Sequence, residues 1–187
     1  MPKSKRHENF IEAWKRVRVR YEEGFCVSER GLQVHLVSSL ELEFPEQKII
    51  VEPSWKTSAN HRVVPDVVMI YENTITDIFE LKFMPHHYAE FEGDVDKLVK
   101  YAADRHASFP VCINTETGKW HDSKCPLSPD LALHFVVVAN TNAKAVYPKI
   151  VGKCPTVQNV KGRFNHWFGR TGKGCSAANT WNIDFDI

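Results

Sequence analysis

Two β-branched, largely apolar runs, residues 63–71 and 75–83, stand on either side of Glu72-Asn73-Thr74. Runs of this kind joined by so short a polar link form an antiparallel hairpin, and a hairpin assigns each residue a partner. With the turn centred on Asn73, Asp66 and Glu80 lie equally far from it and fall opposite one another. Opposed side chains share a face of the sheet, with Cβ atoms about 4.5–5.5 Å apart. Alternation along the strand adds Lys82 to that face and turns Phe79, Leu81 and Phe83 to the other. Two carboxylates so close repel, which raises a pKa unless a cation lies between them. Oxygen ligands on rigid neighbouring strands suit Mg²⁺ or Mn²⁺. A lysine beside them can position a water or offset charge on a phosphate.

The rest of the chain supplies helices around this hairpin. Phe10, Ile11, Trp14, Val17 and Tyr21 recur at helical spacing and predict an amphipathic helix over residues 8–21. Ser28 is an N-cap candidate for a helix over 28–43 with Leu32, Leu36 and Leu40 on one stripe, stopped by Pro45. Glu29 and Gln33 fall on that same inward face, where a carboxylate needs a partner. Residues 48–52 read as a strand and 90–106 as a helix with Phe91, Val95, Leu98 and Ala102 on one side. Residues 133–139, almost all apolar, read as a buried central strand. Residues 107–132, with Pro110, Gly118, Pro126 and Pro129, read as a loop-rich insertion, and the glycine-rich stretch from Pro148 carries no clear element.

Length bounds the architecture. A chain of 187 residues is expected to form one domain, with a core over 25–140 and a basic, aromatic extension over 141–187. No apolar run is long enough to span a membrane, and the basic N-terminus leads into no signal-type segment. Five widely spaced cysteines, an odd number, make no disulfide framework, so a reducing, cytoplasmic setting is expected. The net charge of +1 conceals segregation. Residues 1–20 carry seven Lys/Arg against two acids, residues 131–187 again seven against two, and the middle is acidic. A uniformly basic nucleic-acid binder is excluded, whereas a cation-binding centre between phosphate-facing flanks is compatible.

Val64-Pro65-Asp66, then Glu80-Leu81-Lys82 after a thirteen-residue gap, resembles the PD-(D/E)xK motif of restriction-endonuclease-like nucleases. The helix–three strands–helix–strand order over 25–140 is similar to that family's α/β core, a central mixed sheet flanked by helices, here with N- and C-terminal additions. The resemblance implies Mg²⁺- or Mn²⁺-dependent hydrolysis of phosphodiesters, with DNA favoured over RNA. It implies Asp66, Glu80 and the Leu81 carbonyl as metal ligands, Lys82 as the group orienting the attacking water, and Glu29 as the residue completing the site. Some branches carry Gln-x-x-x-Tyr in the helix after the motif, whereas here the comparable pair is Lys97 and Tyr101. A homodimer is compatible with cutting both strands, and a non-catalytic nucleic-acid or protein scaffold of the same fold is the alternative.

Other groups have two readings each. Gln33, Lys97 and Tyr101 are candidate nucleic-acid contacts, against an ordinary helix surface. Lys161, Arg163 and Arg170 interleave with Phe164, His166, Trp167 and Phe168, which suits phosphate contact with base stacking. The same aromatics also suit a folded core. His86 and His87 read as polar surface beside the motif, and Cys112, His121 and Cys125 lack the close spacing of a zinc site.

Overall fold

Phe10, Ala13, Trp14 and Val17 are all buried on the first helix, α1 (Lys3–Glu22). Its end is closed by Gly24, at φ +81°, with Gly24 N–H on Tyr21 O (3.0 Å) and Phe25 N–H on Arg20 O (2.9 Å). This pair of bonds satisfies the last carbonyls of the helix and needs a residue without a Cβ. The second helix, α2 (Glu29–Glu43), begins at Ser28, whose Oγ accepts from the Gly31 N–H at 3.0 Å. Leu32, Leu36 and Leu40 are buried along it, and Pro45 follows its cap at Phe44. The computed structural model describes residues 3–56, 62–86, 92–103, 106–113, 120–140, 164–171 and 181–185.

The strands are β1 (Lys48–Val51), β2 (Trp55–Lys56), β3 (Arg62–Val63), β4 (Val67–Tyr71) and β5 (Thr74–Met84). After α3 (Glu92–Ala103) come β6 (His106–Ile113), β7 (Trp120–Ala139), β8 (Phe164–Arg170) and β9 (Trp181–Asp184). The main sheet runs β1-β4-β5-β7-β8-β9, with β6 paired to the first part of β7. Strands β5, β7 and β8 are parallel, while β1–β4, β4–β5 and β8–β9 are antiparallel. Helices α1 and α2 cover one face, packing Phe10, Trp14 and Leu36 on Val67, Phe79 and Trp167. Helix α3 covers the other, packing Val95, Leu98 and Tyr101 with Val68, Ile78, Phe135 and Phe164. This is a mixed α/β fold, a central mixed sheet flanked by helices.

Several expectations change. Residues 63–71 are not one strand, because Val64-Pro65-Asp66 separates β3 from β4. Proline has no N–H for the ladder, so the break falls beside it. The proposed insertion at 107–132 is a β-hairpin of β6 and β7, with Pro110 beside a register shift on the outer strand. The helix expected over 90–106 ends at Ala103, and His106 opens β6. The C-terminal stretch supplies β8 and β9, and Phe164, Trp167 and Phe168 are core, which removes them as exposed stacking groups.

The β4–β5 hairpin reaches the expected pairing by a different route. Tyr71 pairs with Thr74, so the turn has two residues, Glu72 (φ 47°) and Asn73 (φ 63°). Such a tight turn alone would shift every later pair by one. A bulge compensates: Met69 pairs with Asp77 while Ile70 pairs with Ile75, leaving Thr76 as the extra residue. Val67 then faces Phe79, the last pair of the hairpin ladder; Asp66 lies before β4 with its N–H on Phe79 O, so the expected cross-strand pair of Asp66 and Glu80 is not part of the ladder.

Candidate functional site

Strand β5 runs on past the start of β4, so N–H groups on that edge of β5 lose their ladder partners. Two acidic side chains take them. The Leu81 N–H donates to Asp66 Oδ2 (2.6 Å), and the Phe83 N–H donates to Glu29 Oε2 (3.2 Å). Asp66 is fixed from its backbone as well. Its N–H donates to Phe79 O (3.2 Å), and its carbonyl accepts from Glu52 N–H (2.9 Å) and Gln33 Nε2 (3.0 Å). Gln33 is buried and also accepts from Arg30 at 2.8 Å, while Arg30 forms an ion pair with Glu52. Glu52 takes φ 48°, a left-handed conformation uncommon for this residue type. Glu29, Arg30, Gln33, Glu52, Asp66 and Leu81 line a cleft of about 150 Å³. An extended residue directs N–H and C=O to the same edge, so the Leu81 carbonyl faces this cleft too.

Glu80 lies on the α3 side of the same edge and is 3% exposed. Tyr101 donates its hydroxyl to Glu80 Oε1 at 2.9 Å. Lys97 Nζ stands 3.6 Å from Glu80 Oε2 and donates to Asp94 Oδ1 at 2.7 Å. Lys82 Nζ is 3.4 Å from the other Asp94 oxygen. Asp94 therefore holds both lysines.

Burial sets the electrostatics. It pushes the Glu80 carboxyl up to about 8, with the Asp66 charge adding to the shift and Lys97 opposing it. Burial also pushes Asp66 up to about 6; the Leu81 N–H opposes this and the Glu29 charge adds to it. The repulsion expected from the hairpin acts on Glu80, second to desolvation, while the acidic neighbours that act on Asp66 are Glu29 and Asp94. The Lys97 ammonium loses some stability to burial, but Asp94 and Glu80 outweigh that and raise its pKa. Burial and the Glu80 charge raise Tyr101, which keeps it a donor.

The described residues include most of the sequence-derived candidates. Asp66 bonds the Leu81 N–H next to Glu80, and Glu29 and Gln33 adjoin Asp66 across the cleft. Among the described residues, no group of three or more His, Cys, Asp or Glu is placed to hold a metal. Glu29 and Glu80 flank Asp66 instead of converging on one point. Two carboxylates and a carbonyl could still hold Mg²⁺, which binds through one or two carboxylates and completes its shell with water and phosphate. Tyr101, expected as a nucleic-acid contact, is 2% exposed and is a buried partner of Glu80. Lys97 is on the site itself. Arg170 is exposed at the end of β8, where the register Met84–Ala139–Arg170 sets it at the same end of the sheet. Lys161, Arg163 and His87 lie outside the described residues.

The sequence reading missed Asp94, Arg30 and Glu52. Asp94, Lys97 and Tyr101 are spaced i, i+3, i+7, one helix face, and this signal was available. The Arg30–Glu52 pair carried no local signal, because its partners sit on different elements.

A second polar centre lies on the opposite face and is closed to chemistry. Asp77 and His134 are fully buried, with His134 Nε2 2.9 Å from Asp77 Oδ1 and Arg6 paired to the other Asp77 oxygen. Trp167 Nε1 donates to His134 Nδ1 at 2.9 Å, so both imidazole nitrogens are taken. Burial lowers the His134 pKa, and the Trp167 N–H on Nδ1 leaves the ring proton on Nε2, facing Asp77. Cys26 is buried, and burial pushes its thiol up to about 11, far from a nucleophile. No family model, no curated protein and no solved structure matches this chain.

Proposed function

We propose that the chain is a Mg²⁺- or Mn²⁺-dependent nuclease that hydrolyses phosphodiester bonds, in DNA before RNA, on a restriction-endonuclease-like core. The observation that carries this reading is the Asp66–Glu80 pair, a half-buried and a buried carboxyl of raised pKa, with Asp66 bonded to the Leu81 N–H next to Glu80. Supporting it are Lys82 two residues beyond Glu80, and the order α2, β1, β4, β5, α3, β7 with β5 and β7 parallel.

Asp66, Glu80 and the Leu81 carbonyl would hold the ion, which would supply Lewis-acid polarisation of the phosphate. The chain's own groups do the rest. Tyr101 fixes the orientation of Glu80, and the Leu81 N–H fixes that of Asp66. Lys82, on leaving Asp94, orients the attacking water and offsets charge on the phosphate. Glu29 and Gln33 shape the far wall of the cleft, and Arg170 meets the flanking backbone. The described residues carry one such site, so cleavage of both strands of a duplex engages a second copy.

The test is cleavage of plasmid and single-stranded DNA, and of RNA, in Mg²⁺ or Mn²⁺. Asp66→Ala and Lys82→Ala are each expected to lose activity by roughly a hundredfold or more. Variants that cut as well as the parent would remove the assignment. One feature favours the non-catalytic scaffold: Lys82 is turned to Asp94, away from the carboxylate pair. Failure to take up Mn²⁺ at millimolar concentration would favour that second reading.

A further inference from the structure

We infer that Lys97, anchored on Asp94, is a built-in counter-cation of the Asp66–Glu80 pair, one that an incoming divalent ion has to displace. The inference rests on the metal-site reading above and adds a group that the PD…ExK spacing does not contain. Tyr101 occupies one oxygen of Glu80, and the other, Oε2, faces the Lys97 ammonium at 3.6 Å. The motif lysine is elsewhere, 3.4 Å from Asp94 Oδ2. The positive charge against Glu80 therefore comes from α3 and not from β5. Lys97 acts on Asp66 as well, since both carboxyls respond to its charge.

Charge and mobility make this a displaceable group. An ion of charge two at the carboxylate pair would stand beside the ammonium and repel it. Lys97 is bound more closely to Asp94, at 2.7 Å, than to Glu80, and its side chain is 52% exposed. It can therefore retreat onto Asp94 and into water without breaking the helix or uncovering a core residue. Glu80 exchanges one cation for another, and Asp94 keeps the displaced lysine near the phosphate that the ion would bind.

The experiment is calorimetric titration of Mn²⁺ into the full chain, without nucleic acid, for the parent and for Lys97→Met, Lys97→Arg and Lys100→Met. Lys100 is exposed on the same helix and serves as the control for general charge removal. Lys97→Met is expected to bind Mn²⁺ about three- to tenfold more tightly, with Lys97→Arg and Lys100→Met near the parent. Equal or weaker binding by Lys97→Met overturns the inference and leaves the metal site standing. A matching gain in Lys100→Met overturns it too, because the effect would then be long-range. Absence of Mn²⁺ binding in every protein overturns both the inference and the metal-site reading.

Discussion

Glu80 binds a proton more tightly in the folded chain than in the unfolded one, because burial and Asp66 raise its carboxyl from 4.5 to about 8. Between those two values the folded state holds the extra proton, so stability falls as pH rises through that window and is level outside it. Asp66, raised from 3.8 to about 6, acts in the same direction over a lower window. Glu80→Gln keeps the Tyr101 bond and removes the buried charge. Its melting temperature relative to the parent is expected to be clearly higher at about pH 9 than at about pH 5, as read by thermal denaturation in chelator. A constant difference across that range would show that Glu80 titrates normally. That Asp66 falls near Glu80 was legible because period-two alternation and a short turn are local properties. Their burial was not, since Tyr101 and the sheet cover Glu80 from elsewhere in the chain. His134 makes the same point. In sequence it interrupts an apolar run, and its meaning depends on Asp77 and Trp167, both far away along the chain.

At the level of elements, the β4–β5 hairpin is where the site is made. Its two-residue turn and the bulge at Thr76 offset one another, and only their combination sets Val67 opposite Phe79 and leaves Asp66 at the end of the ladder, on the Leu81 N–H. Thr76 and Asp77 both turn toward the α1–α2 side, with Thr76 Oγ1 donating to Asp77 Oδ2 at 2.7 Å. Deleting Thr76 would either slip the register, sending one face's side chains to the other, or pull the turn apart. The deletion is expected to abolish cooperative unfolding and Mn²⁺ binding together, measured by circular dichroism and calorimetry. A deletion variant that still melts sharply would show that the register is set elsewhere. The expected register holds for Val67 to Met69, but the expected three-residue turn is a two-residue turn with a bulge, and Asp66 lies before the strand. A bulge has no composition signature strong enough to be read without its partner strand. Helix α2 was fully legible, because an N-cap serine, leucines every fourth residue and a following proline are all local.

Across the whole molecule, the sheet depends on the C-terminal strands. Strand β8 lies parallel to β7, and its Phe164 and Phe168 join the α3-side core while Trp167 joins the α1–α2 side. Trp181 on β9 packs against Trp14 and Tyr21 of α1 and covers Gly169 so closely that a Cβ there would stand 2.9 Å from the ring. Truncation after Asn140 would expose both cores and leave β7 as an unpaired edge. Such a chain is expected to lack a cooperative thermal transition, and a sharp melt would show that residues 25–140 hold the fold without help. Charge also looks different at this scale. The basic residues of α1 were expected to grip phosphate. Lys15, Arg16, Arg18 and Arg20 instead pair with Glu12, Glu43, Glu22 and Glu23, and Arg6 is drawn inward to Asp77.

Local chemistry dictated the helices with their caps, the β-branched strands and the shared face of Glu80 and Lys82, because propensity and periodicity act between near neighbours. Three things waited on the folded molecule: the compensating bulge, the place of β8 and β9 in the sheet, and the lysine that meets Glu80. Each depends on groups distant in sequence competing for one partner in space. Asp94, with one oxygen for Lys82 and the other for Lys97, is the point where that competition is resolved.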